Sequence, residues 1–207
     1  MLIMTVYDIS YCQPAGIVLQ LASAGASGVI IRNGYMCKTD DLFPVHIAAA
    51  CKSFNDKMIG SYTYCMADTV DDATTEAKNA ITRLKPFIKY INMPVYLDME
   101  SKKYCDKSKR EENTAILLIE CDLLQRAGFT PGIYTNESFI RNYIHLDVIR
   151  EKFPRVSLWL ADYRRVPYVP DMPVDIWQTG IHTVNTTQVD INKCFVDFRG
   201  RNKFFNK

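Results

Sequence analysis

The chain has 207 residues, of which 48% are hydrophobic and 23% charged, with a formal net charge of +2. That length suits one domain or two small ones, and the apolar content is ample for a core and too high for a disordered chain. The near-neutral balance argues against a dedicated nucleic-acid binder, and no apolar run approaches the ~18 residues of a membrane span.

The N-terminus, MLIMTVYDIS, has no charged n-region, and its apolar stretch ends at Asp8. We therefore expect synthesis in the cytoplasm without a secretory leader, or with one already removed. Residues 3–7 (IMTVY) read as a strand and 15–24 as a short helix ended by Gly25. Residues 28–32 (GVIIR) read as a second strand, followed by a helix over about 44–55 with Pro44 early in it. Residues 58–64 (MIGSYTY) make a third strand. Asp71 or Asp72 can cap the next helix, whose Ala73, Ala77, Ala80, Ile81 and Leu84 keep a three-to-four residue period until Pro86. The fourth strand is 94–98 (PVYLD), and a helix over about 111–127 ends at Gly128. Short strands follow at 132–135, 156–160, 174–177 and 188–191, with a helix over about 137–151 between the first two. RRVPYVPDMP, with three prolines, reads as a loop.

Strands alternating with helices predict a parallel sheet with right-handed crossovers. Up to eight strands in this length point to an α/β fold, a TIM-like (β/α) barrel, irregular, with helices missing in its C-terminal part. An open doubly wound sheet would usually carry a glycine-rich loop after its first strand, where this chain has DISYCQPAG. We expect residues 1–198 to form one catalytic domain and 199–207 a basic tail.

The chemistry concentrates after the strands. Asp8 ends the first, Arg32 the second, Tyr62 and Tyr64 the third, Asp98 and Glu100 the fourth. Tyr134 follows in the fifth, Asp162 and Tyr163 in the sixth, Trp177 and Gln178 in the seventh, Asp190 in the eighth. In a barrel these ends converge on one face, where active sites are built. The sharpest local signal is Leu97-Asp98-Met99-Glu100. Alternate residues share a face, which sets the two carboxyls on one side with alpha-carbons ~6.5 Å apart. Neighbouring carboxylates cannot both ionise cheaply, so one becomes an acid near neutral pH. Cleavage of a glycosidic bond needs such an acid and a second carboxylate to steady the cationic transition state. Tyr62, Tyr64, Tyr134 and Trp177 fit either barrel filling or stacking on sugar rings, and Trp159 reads as core.

Other chemistries find less support. His46, His145 and His182 make no metal pattern and read as structural or surface residues, two in helices and one in a loop. There is no G-x-S-x-G, and no Cys–His pair suggests itself at the strand ends. Cys12, Cys37, Cys51, Cys65, Cys105, Cys121 and Cys194 include no C-x-x-C and read as free thiols of a reducing compartment. The basic stretch from Lys102 to Arg110 reads as a solvated loop, with a rim attracting anionic polymers as the functional alternative.

In order, YDISYCQ at 7–13, GVIIRNGY at 28–35, GSYTY at 60–64, PVYLDME at 94–100, AGFTPGIYTN at 127–136, LWLADY at 158–163, IWQTG at 176–180 and VDIN at 189–192 resemble the glycoside hydrolase family 25 lysozymes (N-acetylmuramidases), common among phage endolysins. The resemblance implies cleavage of the β-1,4 bond between N-acetylmuramic acid and N-acetylglucosamine in bacterial peptidoglycan, with no metal or organic cofactor. It implies that Glu100 is the general acid/base and that Asp98 steadies the acetamido group or the transition state. Asp8 and Asp190 would shape the electrostatics, and Arg32, Tyr62, Tyr64, Tyr134, Trp177 and Gln178 would line the groove. The expected partner is the bacterial wall, reached from a phage-infected host, with no nucleic acid, no membrane segment and a monomeric protein. The chain departs from the pattern in the stretch IHTVNTTQ after IWQTG, and it ends at Lys207 where relatives often continue into a wall-binding module. A chitinase-like barrel would require an acid two residues before Asp98, where Tyr96 stands. A catalytically inactive wall-glycan binder is the rival from another class, against which all four carboxylates are present.

Overall fold

A computed structural model describes residues 3–54, 56–163 and 172–199. Most of the three-proline loop and all of the expected basic tail beyond Arg199 lie outside the described residues.

Among the described residues, nine strands and six α-helices make the fold: β1 Met4–Ile9, α1 Ile17–Ser23, β2 Gly28–Tyr35, β3 Lys38–Thr39, α2 Phe43–Ser53, β4 Met58–Tyr64, α3 Val70–Leu84, β5 Val95–Asp98, α4 Arg110–Arg126, β6 Pro131–Asn136, α5 Glu137–Asn142, α6 Leu146–Lys152, β7 Ser157–Ala161, β8 Ile176–Val184 and β9 Thr187–Cys194. Strands β1, β2 and β4 to β8 pair in parallel round an arc, and β9 lies antiparallel between β8 and β1. That closes an eight-strand barrel, with β3 a two-residue appendage of β2.

The barrel is therefore irregular as expected, but its last strand is not parallel. The divergent stretch IHTVNTTQ is a hairpin: β8 runs four residues past Gly180, turns at Asn185 with φ 54°, and returns as β9. A hairpin needs only two turn residues, whereas a parallel return needs a crossover of a dozen or more. His182 consequently sits in a strand, where its Nδ1 meets the Tyr7 hydroxyl at 2.9 Å. The expected helix 137–151 is two short helices broken at residues 143–145. At α3 the cap is Thr69, whose hydroxyl accepts the Asp72 N–H at 3.1 Å while Asp72 accepts the Thr69 N–H. This is a capping box, with Asp72 as its third-position member.

Two apolar layers follow from strand alternation. Val29, Ile31, Leu97, Ile133 and Leu158 point outward against Leu21, Ile47, Leu117 and Leu124 of the helices. Val6, Ile30, Met58, Tyr96, Trp159 and Ile176 fill the barrel. Tyr96 is accommodated because its neighbour on β6 is glycine: a Cβ on Gly132 would lie 2.4 Å from the Tyr96 ring. All seven cysteines are free thiols. Among the described residues no helix is long and apolar enough to cross a membrane.

Candidate active site

Above this filling, at the C-terminal ends of the parallel strands, the inward positions become acidic. Met4, Val6 and Asp8 alternate inward on β1, and Tyr96 and Asp98 on β5. Tyr62, Tyr134 and Gln178 reach the same level from β4, β6 and β8. Asp190 arrives by a different route. Its strand runs the other way, and register pairs it directly with Asp8, so it joins the rim from the middle of β9 rather than from a strand end. A cavity of about 200 Å³ is lined by Asp8, Tyr62, Asp98, Glu100, Tyr134, Trp159, Tyr163, Gln178 and Asp190. All four expected carboxyls thus share one pocket.

Their surroundings grade from floor to rim. Asp8 is buried, and its Oδ2 accepts the Gln178 Nε2–H at 3.0 Å and the Asn192 Nδ2–H at 2.8 Å. Burial first, then the charge of Asp190, push its pKa up to about 7. Asp98 is equally buried, and its Oδ1 has no hydrogen-bond partner. Desolvation, then Glu100 and Asp8, drive its pKa well above the usual carboxylate range, while Arg32 pulls the other way. Glu100, two residues past the end of the ladder, is exposed at the mouth; desolvation and then Asp190 raise it. Asp190 is raised by desolvation. Among the described residues, no lysine or arginine forms an ion pair with any of the four. Crowded acids without a counter-cation must retain protons near neutral pH. These protons belong to the cluster as a whole, and Glu100 is the carboxyl with access to something outside it.

The floor is a hydrogen-bonded aromatic platform. Trp159 packs on Tyr134 at 4.3 Å between centroids and on Tyr96 at 5.2 Å. Its indole N–H donates to Asn192 Oδ1 at 2.7 Å, and Asn192 in turn serves Asp8. The Tyr134 hydroxyl donates to Gln178 Oε1 at 2.7 Å, and the Tyr163 hydroxyl reaches the same oxygen. Gln178 therefore accepts from two phenols and donates to Asp8, which fixes the orientation of its amide.

Other residues fall elsewhere. Arg32 and Tyr64 line a second, adjoining cavity of about 440 Å³ with Tyr11, Tyr35, Lys38, Thr39, Asp40, Asp41 and Met66. There the Arg32 guanidinium bonds the fully buried Asp40 carboxylate at 2.7 Å and lies 4.7 Å above the Tyr11 ring. Trp177 is buried outside the carboxyl pocket, its indole N–H donating to the Asp162 carbonyl at 2.9 Å. Ile176 fills the barrel and Gln178 reaches the pocket, so Trp177 between them faces the other way. Asn192, Tyr163 and Trp159 also belong to the pocket network; the sequence placed Tyr163 at a strand end without assigning it to the site, read Trp159 as core and passed over Asn192. For Asn192 a signal existed: it follows Asp190 at the spacing that links Asp98 to Glu100.

Comparison with known proteins agrees with this geometry. The sequence profile of glycosyl hydrolases family 25 matches residues 7–186. The chain belongs to that family. No curated protein sequence matches it. Among solved structures, it is similar to the catalytic domain of endolysin ply40 from bacteriophage P40 of Listeria monocytogenes, with TM-score 0.75 and 23% identity over 98% of each chain. It is similar to the modular autolysin LytC from Streptococcus pneumoniae, with TM-score 0.71, 23% identity and 93% of this chain matched to 47% of that one. It is also similar to the modular Cpl-1 endolysin complexed with a peptidoglycan analogue, with TM-score 0.74, 21% identity and 93% of this chain matched to 54% of that one. The chain thus spans about half the length of the two modular proteins. The family profile covers β1 to the tip of the β8–β9 hairpin; the part of β9 that carries Asp190 and Asn192 lies just beyond it.

Proposed function

We propose that the chain is an endolysin-type hydrolase of bacterial peptidoglycan, cleaving the β-1,4 bond between N-acetylmuramic acid and N-acetylglucosamine. One observation carries the reading: a family 25 barrel gathers Asp8, Asp98, Glu100 and Asp190 in a single cavity with no bonded cation among the described residues. Glu100 acts as the acid. It stands at the mouth, and a seated sugar removes its remaining water, which raises its affinity for the proton it must deliver to the leaving oxygen. Asp98, held below with an unpartnered oxygen, is placed to steady the acetamido group or the oxocarbenium-like transition state. Asp8, Asn192 and Gln178 hold the floor, and Asp190 adds negative potential beside Glu100. The exposed Tyr163 and the Tyr11–Arg32 stack offer flat surfaces to sugar rings on either side. We place the catalytic unit at residues 1–198.

The test is chemical. Purified peptidoglycan is incubated with the protein, new reducing ends are counted, and the ends are reduced and hydrolysed. Muramitol among the products supports this reading. Glucosaminitol alone would assign the cut to the other glycosidic bond, and no new ends with retained binding would make the protein a wall-glycan binder.

A further inference from the structure

Behind the second cavity, two more acids are buried together. Glu76 of α3 and Glu120 of α4 are fully buried, and they and the Cys65 thiol bring one ligand atom each within 4.8 Å of one another. Glu76 is rich in donors: Oε1 accepts the Met36 N–H at 2.7 Å, and Oε2 accepts those of Met66 at 2.9 Å and Ala67 at 3.1 Å. Such bonds favour the ionised form. Glu120 is different. Its Oε2 faces the Cys65 thiol at 3.7 Å, and its Oε1 has no donor. A cation between the two would confront the N–H groups already committed to Glu76. A proton needs only the one acceptor site that Glu76 has left.

Glu76 holds a strained turn. Met36, between β2 and β3, has φ 39°, a left-handed conformation uncommon for a residue with a side chain. Glu76 takes its N–H, and Arg83 of the same helix donates to its carbonyl at 3.1 Å and to that of Lys38 at 3.4 Å. Tyr35 and Lys38 of this hairpin, and Met66 of the loop that Glu76 also holds, line the second cavity.

We infer that Glu120 is a neutral carboxylic acid donating its proton to the Glu76 carboxylate, and that Glu76 so held, together with Arg83, positions the wall of the second cavity. Its consequence for substrate rests on the glycan-cleaving reading above; its structural part does not. The groups facing the pair are Cys65 after β4, Arg83 on α3, Tyr104 in the loop after β5 and Cys121 on α4. Burial, and then Glu76, push the Glu120 pKa well above the usual range. The native state therefore keeps a proton that the unfolded chain loses above about pH 4.3, so the pair's contribution to stability declines as pH rises from there.

Three measurements test this on the full chain. Denaturation midpoints of the parent and Glu120→Gln are compared at pH 5 and pH 8, with zinc and with chelator. The amide N–H can replace the acid's proton, so the variant should fold and its midpoint should improve against the parent as pH rises. Hydrogen exchange in Glu76→Gln should be faster at the Met36 and Met66 amides by about tenfold, the worth of one hydrogen bond. On solubilised glycan its KM should rise by a similar factor with kcat within about twofold, the mark of a lost positioning contact. Where Glu76→Gln does not fold, Arg83→Met perturbs the same turn from its carbonyl side and should give the same KM effect. Parallel loss of stability by parent and Glu120→Gln would mean an ionised Glu120. Zinc stabilising the parent and not Glu120→Gln would replace the proton by a cation. Unchanged exchange and KM would remove the positioning role. If the parent cuts no glycan, the functional reading fails, while the midpoint and exchange results still decide the pair.

Discussion

Carboxyl groups are buried in two places in this molecule, and the two places differ in their access to solvent. Glu76 and Glu120 lie closed off between the helices and the end of β4; Glu76 is furnished with backbone donors, and neither can meet anything but its neighbours. Asp8, Asp98, Glu100 and Asp190 crowd in the same way but line an open cavity at the barrel mouth, and their outermost member is exposed. Desolvation and like charge raise proton affinity in both. Raised affinity alone therefore does not make an active site. An acid catalyst also needs a path along which the proton can leave toward a substrate.

Removing the transferable proton should produce the largest effect. Glu100→Gln is expected to fold normally and lose about 10²–10⁴-fold in turnover on purified wall, the usual worth of positioned acid catalysis. A folded variant with near-parental release of reducing ends would take the catalytic role away from the open cluster. Asp98→Asn should come next, at about 10²-fold in kcat, because it removes the carboxyl directed at the reacting sugar without removing the acid. If KM rose and kcat held, Asp98 would be a binding residue instead.

A pH experiment separates storage of protons from their use. Asp8 is raised from 3.8 to about 7, so between these values the unfolded chain is ionised while the native state holds the proton. Stability then falls as pH rises through that window, by at most about 1.4 kcal/mol per pH unit for one proton. Asp8→Asn can keep one oxygen as acceptor for both the Gln178 and Asn192 amides, since both bonds go to the same atom of Asp8. The variant should gain on the parent in denaturant midpoint from pH 4 to pH 7 and level off above. A gain that did not grow with pH would mean that Asp8 is ionised throughout.

How much of this was legible in the sequence differs between the two clusters. The open one was legible because its members follow apolar strands, and strand ends in a barrel must converge: Asp8 and Asp98 needed nothing more, whereas Tyr62 and Tyr134, read as either barrel filling or site, turn out to line the pocket and to pack in the barrel as well. Asp190 was found by resemblance while the topological reason offered for it was incorrect, because strand direction at β9 is decided by the Asn185 turn and by pairing with β1, contacts remote in sequence. Trp177 shows the limit of reading residue types. It precedes Gln178, and period-two alternation alone forbids both from facing the pocket. Glu76 and Glu120 were invisible. On an amphipathic helix a glutamate reads as surface, and only the packing of α3 against the ends of β2 and β4 turns Glu76 into the acceptor for three loop N–H groups.

The smallest expected effect concerns the field outside the open cluster, which the closed pair should not feel. Lys102, Lys107 and Lys109 are exposed in the loop after Glu100, but Lys103 is not free: it bonds the Met66 carbonyl and pairs with Asp68 at 2.8 Å. The three free lysines add positive potential near the mouth, and added salt screens it over about 8 Å at physiological strength. Activity on intact anionic walls should therefore fall with salt, while activity on a short neutral glycan changes little, because encounter with the wall gains from long-range attraction and encounter with the neutral chain does not. Replacing Lys102, Lys107 and Lys109 by glutamine should flatten the salt response on walls and leave the denaturation midpoint in place, since none of the three is tied into the fold as Lys103 is. Equal salt responses on the two substrates, or an unchanged response in the triple variant, would make this loop a solvated surface and leave recognition to the groove alone.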